Sequence, residues 1–94
     1  MVTLLLAVAL SGPPPKEEAR LVLRRVGCQK CHDSTLSTEH ADALAQFDLK
    51  EPDWSDGLTE RQLPILLVRM GKRAPADVKI VRRFVDAELR ARKR

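Results

Sequence analysis

Residues 28 to 32 read Cys-Gln-Lys-Cys-His, and no other cysteine occurs in the 94 residues. This order is the attachment pattern of c-type haem, in which two thiols add across the porphyrin vinyl groups and the next residue binds iron. The spacing has a physical basis. Two intervening residues let the chain curl through a short turn, so both sulfurs face one edge of a macrocycle. A histidine directly after the second sulfur falls on the adjacent face, where a ring nitrogen can meet iron. Two other uses of a Cys-x-x-Cys pair exist. A thioredoxin-like dithiol belongs near a βαβ pattern, and none is visible. Half of a zinc site needs a second Cys/His pair to complete it, and none is present. The motif predicts one covalent haem c, with Cys28 and Cys31 as attachment points and His32 as an axial iron ligand.

A chain this short makes one domain and struggles to bury enough apolar surface unaided. A covalently fixed haem is a large flat apolar body around which short helices can pack. The only aromatic residues are Phe47, Trp54 and Phe84, which fits a core whose main aromatic is the cofactor.

Residues 1–12 form an uncharged apolar run ending in small residues. The run is too short to span a bilayer as a helix and lacks positive residues at its start. The expectation is a signal peptide or the remnant of a membrane anchor, with a buried terminal strand or helix as the structural alternative. Pro13-Pro14-Pro15 follows as a stiff linker, and residues 16–94 are expected to form the haem domain.

Three helices are predicted. Residues 16–26 carry Glu17 and Glu18 in the first turn and Arg24 and Arg25 in the last, matching the helix dipole. Pro15 suits the first position, Ala19, Val22, Leu23 and Val26 share a face, and Gly27 ends the helix at Cys28. Residues 59–70 open with a capping box of Thr59 and Gln62 and a hydrophobic staple of Leu58 and Leu63. Pro64 should bend this helix or push its regular part later, and Leu63, Leu66, Leu67 and Met70 share a face. Residues 76–90 follow Pro75 and carry a wide apolar arc from Val78 to Leu89, suited to contact with both a helix and a haem. Between them, residues 38–47 suggest a short helix with Ala41, Leu44 and Ala45 inward, and residues 51–57 are rich in turn formers. No strand pattern appears, so the fold class is all-α.

The helix before Gly27-Cys28, the Cys28–His32 motif, one methionine well downstream and a terminal helix bearing Phe84 together make the chain resemble a small monohaem cytochrome c of the class I type. The resemblance covers most of residues 16–90, and only the haem motif is specific. It implies a cytochrome c-like fold of three main helices around one haem, with the first and last helices crossing at the Phe84 aromatic. It also implies haem attachment outside the cytoplasm, hence an exported protein, periplasmic or membrane-associated and facing the periplasm. The family usually carries a proline soon after the motif, whose carbonyl accepts the ligand histidine's ring N–H. Residues 33–51 contain no proline, so the sequence assigns no such partner to His32.

Met70 is the first candidate for the second axial ligand, since a thioether favours ferrous iron and it is the only methionine beyond the first residue. Its place on the apolar face of residues 59–70 equally suits a core methionine. His40 is the rival ligand, and its alternative is an exposed side chain. An open sixth position or a lysine ligand is the remaining arrangement. Trp54 lies between His32 and Met70, where the resemblance implies an indole N–H donated to a haem propionate; packing over the haem edge is its alternative.

The net charge of +4 hides an asymmetry: residues 33–60 carry eight acids against one base, whereas residues 61–94 carry eleven bases against three acids. Such a charge dipole orients a small carrier as it meets a partner, although solvated helix faces and a frayed basic tail account for it equally. Nucleic acid is not an expected partner, because no such motif is present. The basic C-terminus suits a weak contact with anionic membrane. The expected function is electron transfer by Fe(III)/Fe(II) cycling between redox partner proteins, not catalysis. The alternatives are a haem-bearing subunit of a larger, membrane-bound oxidoreductase complex and a ligand-binding or sensing haem domain with an open sixth site.

Overall fold

The computed structural model describes residues 13–93. Residues 1–12, read above as a signal peptide or anchor remnant, lie outside the described residues, as does Arg94. Five helices and no strand occur among the described residues: α1 (Pro15–Arg25), α2 (Gln29–His32), α3 (Ala41–Gln46), α4 (Ile65–Met70) and α5 (Pro75–Arg92). The all-α class is observed. None of the described helices is long and apolar enough to cross a membrane.

Local sequence explains where each long helix starts and stops. Pro15 and Pro75 occupy the first turns of α1 and α5, where a missing N–H costs nothing and φ is already helical. Gly27 follows α1 with φ +114°, a conformation that ends the helix and that side-chain-bearing residues rarely adopt. The helix expected over residues 59–70 is regular only from Ile65. Thr59 and Gln62 do form their capping box, with Gln62 N–H donating to Thr59 Oγ1 at 3.1 Å and Thr59 N–H to Gln62 Oε1 at 2.8 Å. Pro64 lacks an N–H, so the intervening segment closes as turns and the regular helix begins one residue after it.

The frame is the packing of α1 against α5, the most extensive helix–helix contact in the fold. Ala19, Val22 and Leu23 of α1 and Val81, Phe84 and Val85 of α5 are all buried. Two ion pairs flank this seam, Arg25–Asp77 at 2.8 Å and Arg83–Glu18 at 3.9 Å. Helix α4 packs on α5, and its Leu66 and Met70 are buried. The connecting segments add Phe47, Leu49, Trp54, Leu58 and Leu63 to the same core. Trp54 packs edge-on against Phe47 (centroids 5.6 Å apart) and tilted against Phe84 (5.2 Å), an arrangement that adds to its area burial.

The inner face of α3 differs from expectation. Ala41 and Ala45 are exposed, and Ala43 and Leu44 are the half-buried pair. The helix is rotated because its C-terminal neighbour Phe47 is buried and Ala43 faces His32. The charge asymmetry is partly consumed inside the fold. Asp33 pairs with Arg24 and Asp56 with Lys16, while Arg92 donates to the carbonyls of Ser55 and Leu58.

Two substitutions test this packing by urea denaturation. Phe84→Ala removes a side chain only 1 % exposed at the centre of the frame, and should cost about 3–5 kcal/mol. Ser55 is fully buried and its hydroxyl has no hydrogen-bond partner among the described residues. Leaving such a group unpaired costs about 1–3 kcal/mol, so Ser55→Ala should stabilise the protein rather than weaken it.

Candidate functional site

The motif residues sit on a tight path set by Gly27. Leaving α1, the chain turns through Gly27, whose N–H donates to Gln29 Oε1 at 2.8 Å. It then closes one helical turn, with His32 N–H donating to Cys28 O at 3.0 Å. This single turn brings Cys28, Cys31 and His32 to the wall of one cavity of about 390 Å³, within the size range of small-molecule and cofactor sites. Both thiols are free and half-buried. Burial pushes the Cys28 thiol above its ordinary pKa, and the nearby charge of Arg73 opposes that rise without cancelling it.

His32 is held from two sides. Its Nδ1 lies 2.9 Å from the carbonyl of Ala43 and 3.2 Å from that of Phe47. Carbonyls only accept, so Nδ1 carries a proton, and in the neutral ring that leaves the lone pair on Nε2. The ring also stacks on Phe47, with centroids 3.8 Å apart and planes 7° from parallel. The sequence could not supply this partner, because any residue type offers a backbone carbonyl; the one signal available was the short helix that carries Ala43.

The loop after the motif is tied back to it. Leu49 N–H donates to His32 O at 2.6 Å, and Asp48 accepts from the N–H groups of Ser34 and Lys50 at 3.1 and 3.0 Å. Asp33 is fully buried beside His32. Burial alone would raise its carboxyl, but hydrogen bonds from Thr35 and the charge of Arg24 outweigh it and hold the group below the usual carboxylate range. The segment is thereby fixed by charge as well as by backbone bonds.

The cavity is lined by two stretches of chain, one following α1 and the other spanning residues 58–69. Helices α2 and α3 make no close backbone approach to α4. One wall carries Cys28, Cys31, His32, Gln46 and Phe47, the other carries Leu58, Gln62, Ile65, Leu66 and Arg69, and Leu23 and Gly27 complete the lining. Gln62, Ile65, Leu66 and Arg69 follow the spacing that puts residues on one helix face.

The remaining sequence-predicted residues lie elsewhere. Met70 is 2 % exposed in the core and is not on the cavity wall. The face holding Leu63, Leu66 and Met70 is apolar as expected, but Met70 and Leu63 turn to the core while Arg69 turns to the cavity. Trp54 is also in the core, where its Nε1–H donates to Lys16 O at 3.2 Å. The expected propionate contact would require that bond to be given up. His40 is exposed just before α3 and does not line the cavity. Sequence reasoning missed Gln62 as a cavity residue because its capping role already explained it, and missed Arg69 because it reads as a solvated charge. Among the described residues, no three or more His, Cys, Asp or Glu side chains converge to hold a metal ion by themselves.

Compared with known proteins, the chain matches no protein-family model, no curated protein and no solved structure.

Gly27 should be the most sensitive backbone position of the site. A Cβ there would meet only Arg73 Nη2, at an ordinary 3.5 Å, so the cost of Gly27→Ala comes from its φ of +114°. The expected destabilisation is about 1–3 kcal/mol, read as a lower midpoint of urea unfolding with an unchanged slope.

Proposed function

We propose that the chain is a monohaem c-type redox protein with a cytochrome c-like arrangement, passing electrons between partner proteins outside the cytoplasm. The observation that carries this reading is the convergence of both thiols and an Nδ1-protonated His32 on one largely apolar cavity. When bound, haem supplies a one-electron Fe(III)/Fe(II) couple. The chain's own residues do the rest. Cys28 and Cys31 hold the macrocycle edge through thioethers. His32 offers Nε2, and the carbonyls of Ala43 and Phe47 fix its tautomer and raise its basicity, as second partners of ligand histidines do. Phe47 keeps the imidazole from swinging, and Leu23, Leu58 and Leu66 exclude water and lower the local dielectric.

The donor set fits such a cofactor. A porphyrin brings its own equatorial nitrogens, so the protein need not supply a cluster of three or more ligands, and none converges among the described residues. A thioredoxin-like dithiol is less suited. Its attacking thiol needs a lowered pKa, whereas Cys28 is pushed up, and no βαβ unit occurs among the described residues. The haem motif and its resemblance to exported cytochromes support a location outside the cytoplasm. One observation favours the ligand-binding alternative as a property of the same haem: Met70 lies in the core, and among the described residues the cavity wall of residues 58–69 offers no thioether or imidazole.

Film voltammetry of protein matured by c-type haem machinery tests the redox role. A reversible one-electron wave is expected, lost when Cys28→Ser and Cys31→Ser are combined. A haem-loaded protein that exchanges no electrons with an electrode or a soluble mediator would contradict it.

A further inference from the structure

The cavity wall built from residues 58–69 is chemically unlike a closed coordination site. It consists of Leu58, Gln62, Ile65, Leu66 and Arg69, and none of these side chains is a usual ligand to haem iron. Met70 follows Arg69 directly, so its side chain leaves the helix about 100° away, and it is buried in the core that α4 shares with α5. Bringing its sulfur to the cavity would mean rotating α4, which would strip Leu66 and Met70 from that core and expose them. Burying such side chains is favourable, so the present register is held against that rotation.

Two polar groups remain on this wall. Gln62 spends its Oε1 on Thr59 N–H, which leaves the side-chain NH₂ as a donor. Arg69 makes no ion pair among the described residues, although Arg24, Arg25, Arg83 and Arg92 do. A cation and an amide donor on an otherwise apolar wall suit a small anion. We infer that the cavity admits an exogenous small anion to the sixth position of the haem iron, with Arg69 and Gln62 as its protein contacts, and that this anion tunes the redox potential. The inference rests on the haem reading above and adds the ligand class and its control of the couple.

The control follows from charge. The ferric porphyrin core carries one more positive charge than the ferrous core, so an anion binds the ferric form more tightly. Linkage then makes the bound anion stabilise that form by the same factor. For a one-electron couple, each tenfold preference for the ferric form lowers the potential by about 59 mV when anion is saturating. Binding itself moves no electron: the anion contributes a lone pair and keeps its charge.

The test uses the matured holoprotein, azide as an anionic probe and imidazole as a neutral one, in mildly alkaline buffer where each has that charge state. Azide should shift the ferric absorption spectrum saturably and lower the midpoint potential. Arg69→Leu should weaken azide about tenfold, the worth of one charge-assisted hydrogen bond, while leaving imidazole within about twofold. Gln62→Leu should weaken azide by a smaller factor. Met70→Leu should leave the ferric spectrum unchanged. A Met–iron charge-transfer band that Met70→Leu removes would overturn the inference, as would azide affinity indifferent to Arg69→Leu. If Met70→Leu does not fold, the native protein decides: a charge-transfer band with a haem-shifted methionine methyl resonance in NMR overturns the inference, and the absence of both supports it. Intact mass separates the two levels of failure. Absence of covalent haem sinks the haem reading itself, whereas a haem-loaded protein that refuses azide sinks only the anion site.

Discussion

The pinned imidazole of His32 is the interaction on which the site depends. A free histidine ring has two tautomers and rotates about two bonds. Here the Ala43 and Phe47 carbonyls choose the tautomer, and the Phe47 ring fixes the plane. The imidazole so held lines the same cavity as Cys28 and Cys31. Holding Ala43 and Phe47 in place requires α3 and the loop after it. That loop is tied down by the Leu49 bond to the His32 carbonyl, the Asp48 bonds and the buried Asp33–Arg24 pair. These attach to α1, and α1 is held by α5. The site is thus a consequence of the α1–α5 frame, reached through a short series of named bonds.

The second constraint is the register of α4. A helix that presents one apolar face to α5 must present another face to the cavity, and the sequence sets which residues fall where. Leu63, Leu66, Leu67 and Met70 were legible as a face from spacing alone, and that face is buried except at Leu67, which is half-buried. What it packs against was not legible, because periodicity gives a direction around the helix and no information about the neighbour. Leu66 reaches the cavity from that face, whereas Met70 does not. The same limit applies to Trp54. Its position between His32 and Met70 was visible, but its hydrogen bond to the Lys16 carbonyl depends on where α1 begins in space.

What the sequence encoded locally, it encoded well. The prolines at the starts of α1 and α5, the Gly27 stop and the Thr59–Gln62 capping box depend on near neighbours, and each appears as read. Pro64 illustrates a local rule with a graded outcome: it delayed α4 to Ile65 and left a helix of six residues. The inner face of α3 was misread because its apolar residues are mostly small alanines, which carry little burial signal. Its orientation comes from Phe47 and His32, which lie outside the helix. The all-α class follows from local signals; the cytochrome c-like arrangement rests on the motif and its resemblance.

The central claim is that this cavity holds a haem joined to both thiols. Trypsin gives a direct reading, because Arg25, Lys30 and Lys50 bound two peptides, residues 26–30 and 31–50, with Cys28 in one and Cys31 in the other. After digestion of protein matured by c-type haem machinery, mass spectrometry should find the two peptides as one species carrying a single haem, stable to thiol reductants. Two separate peptides with unmodified cysteines, or a pair joined by a disulfide that reductant breaks, would contradict the account.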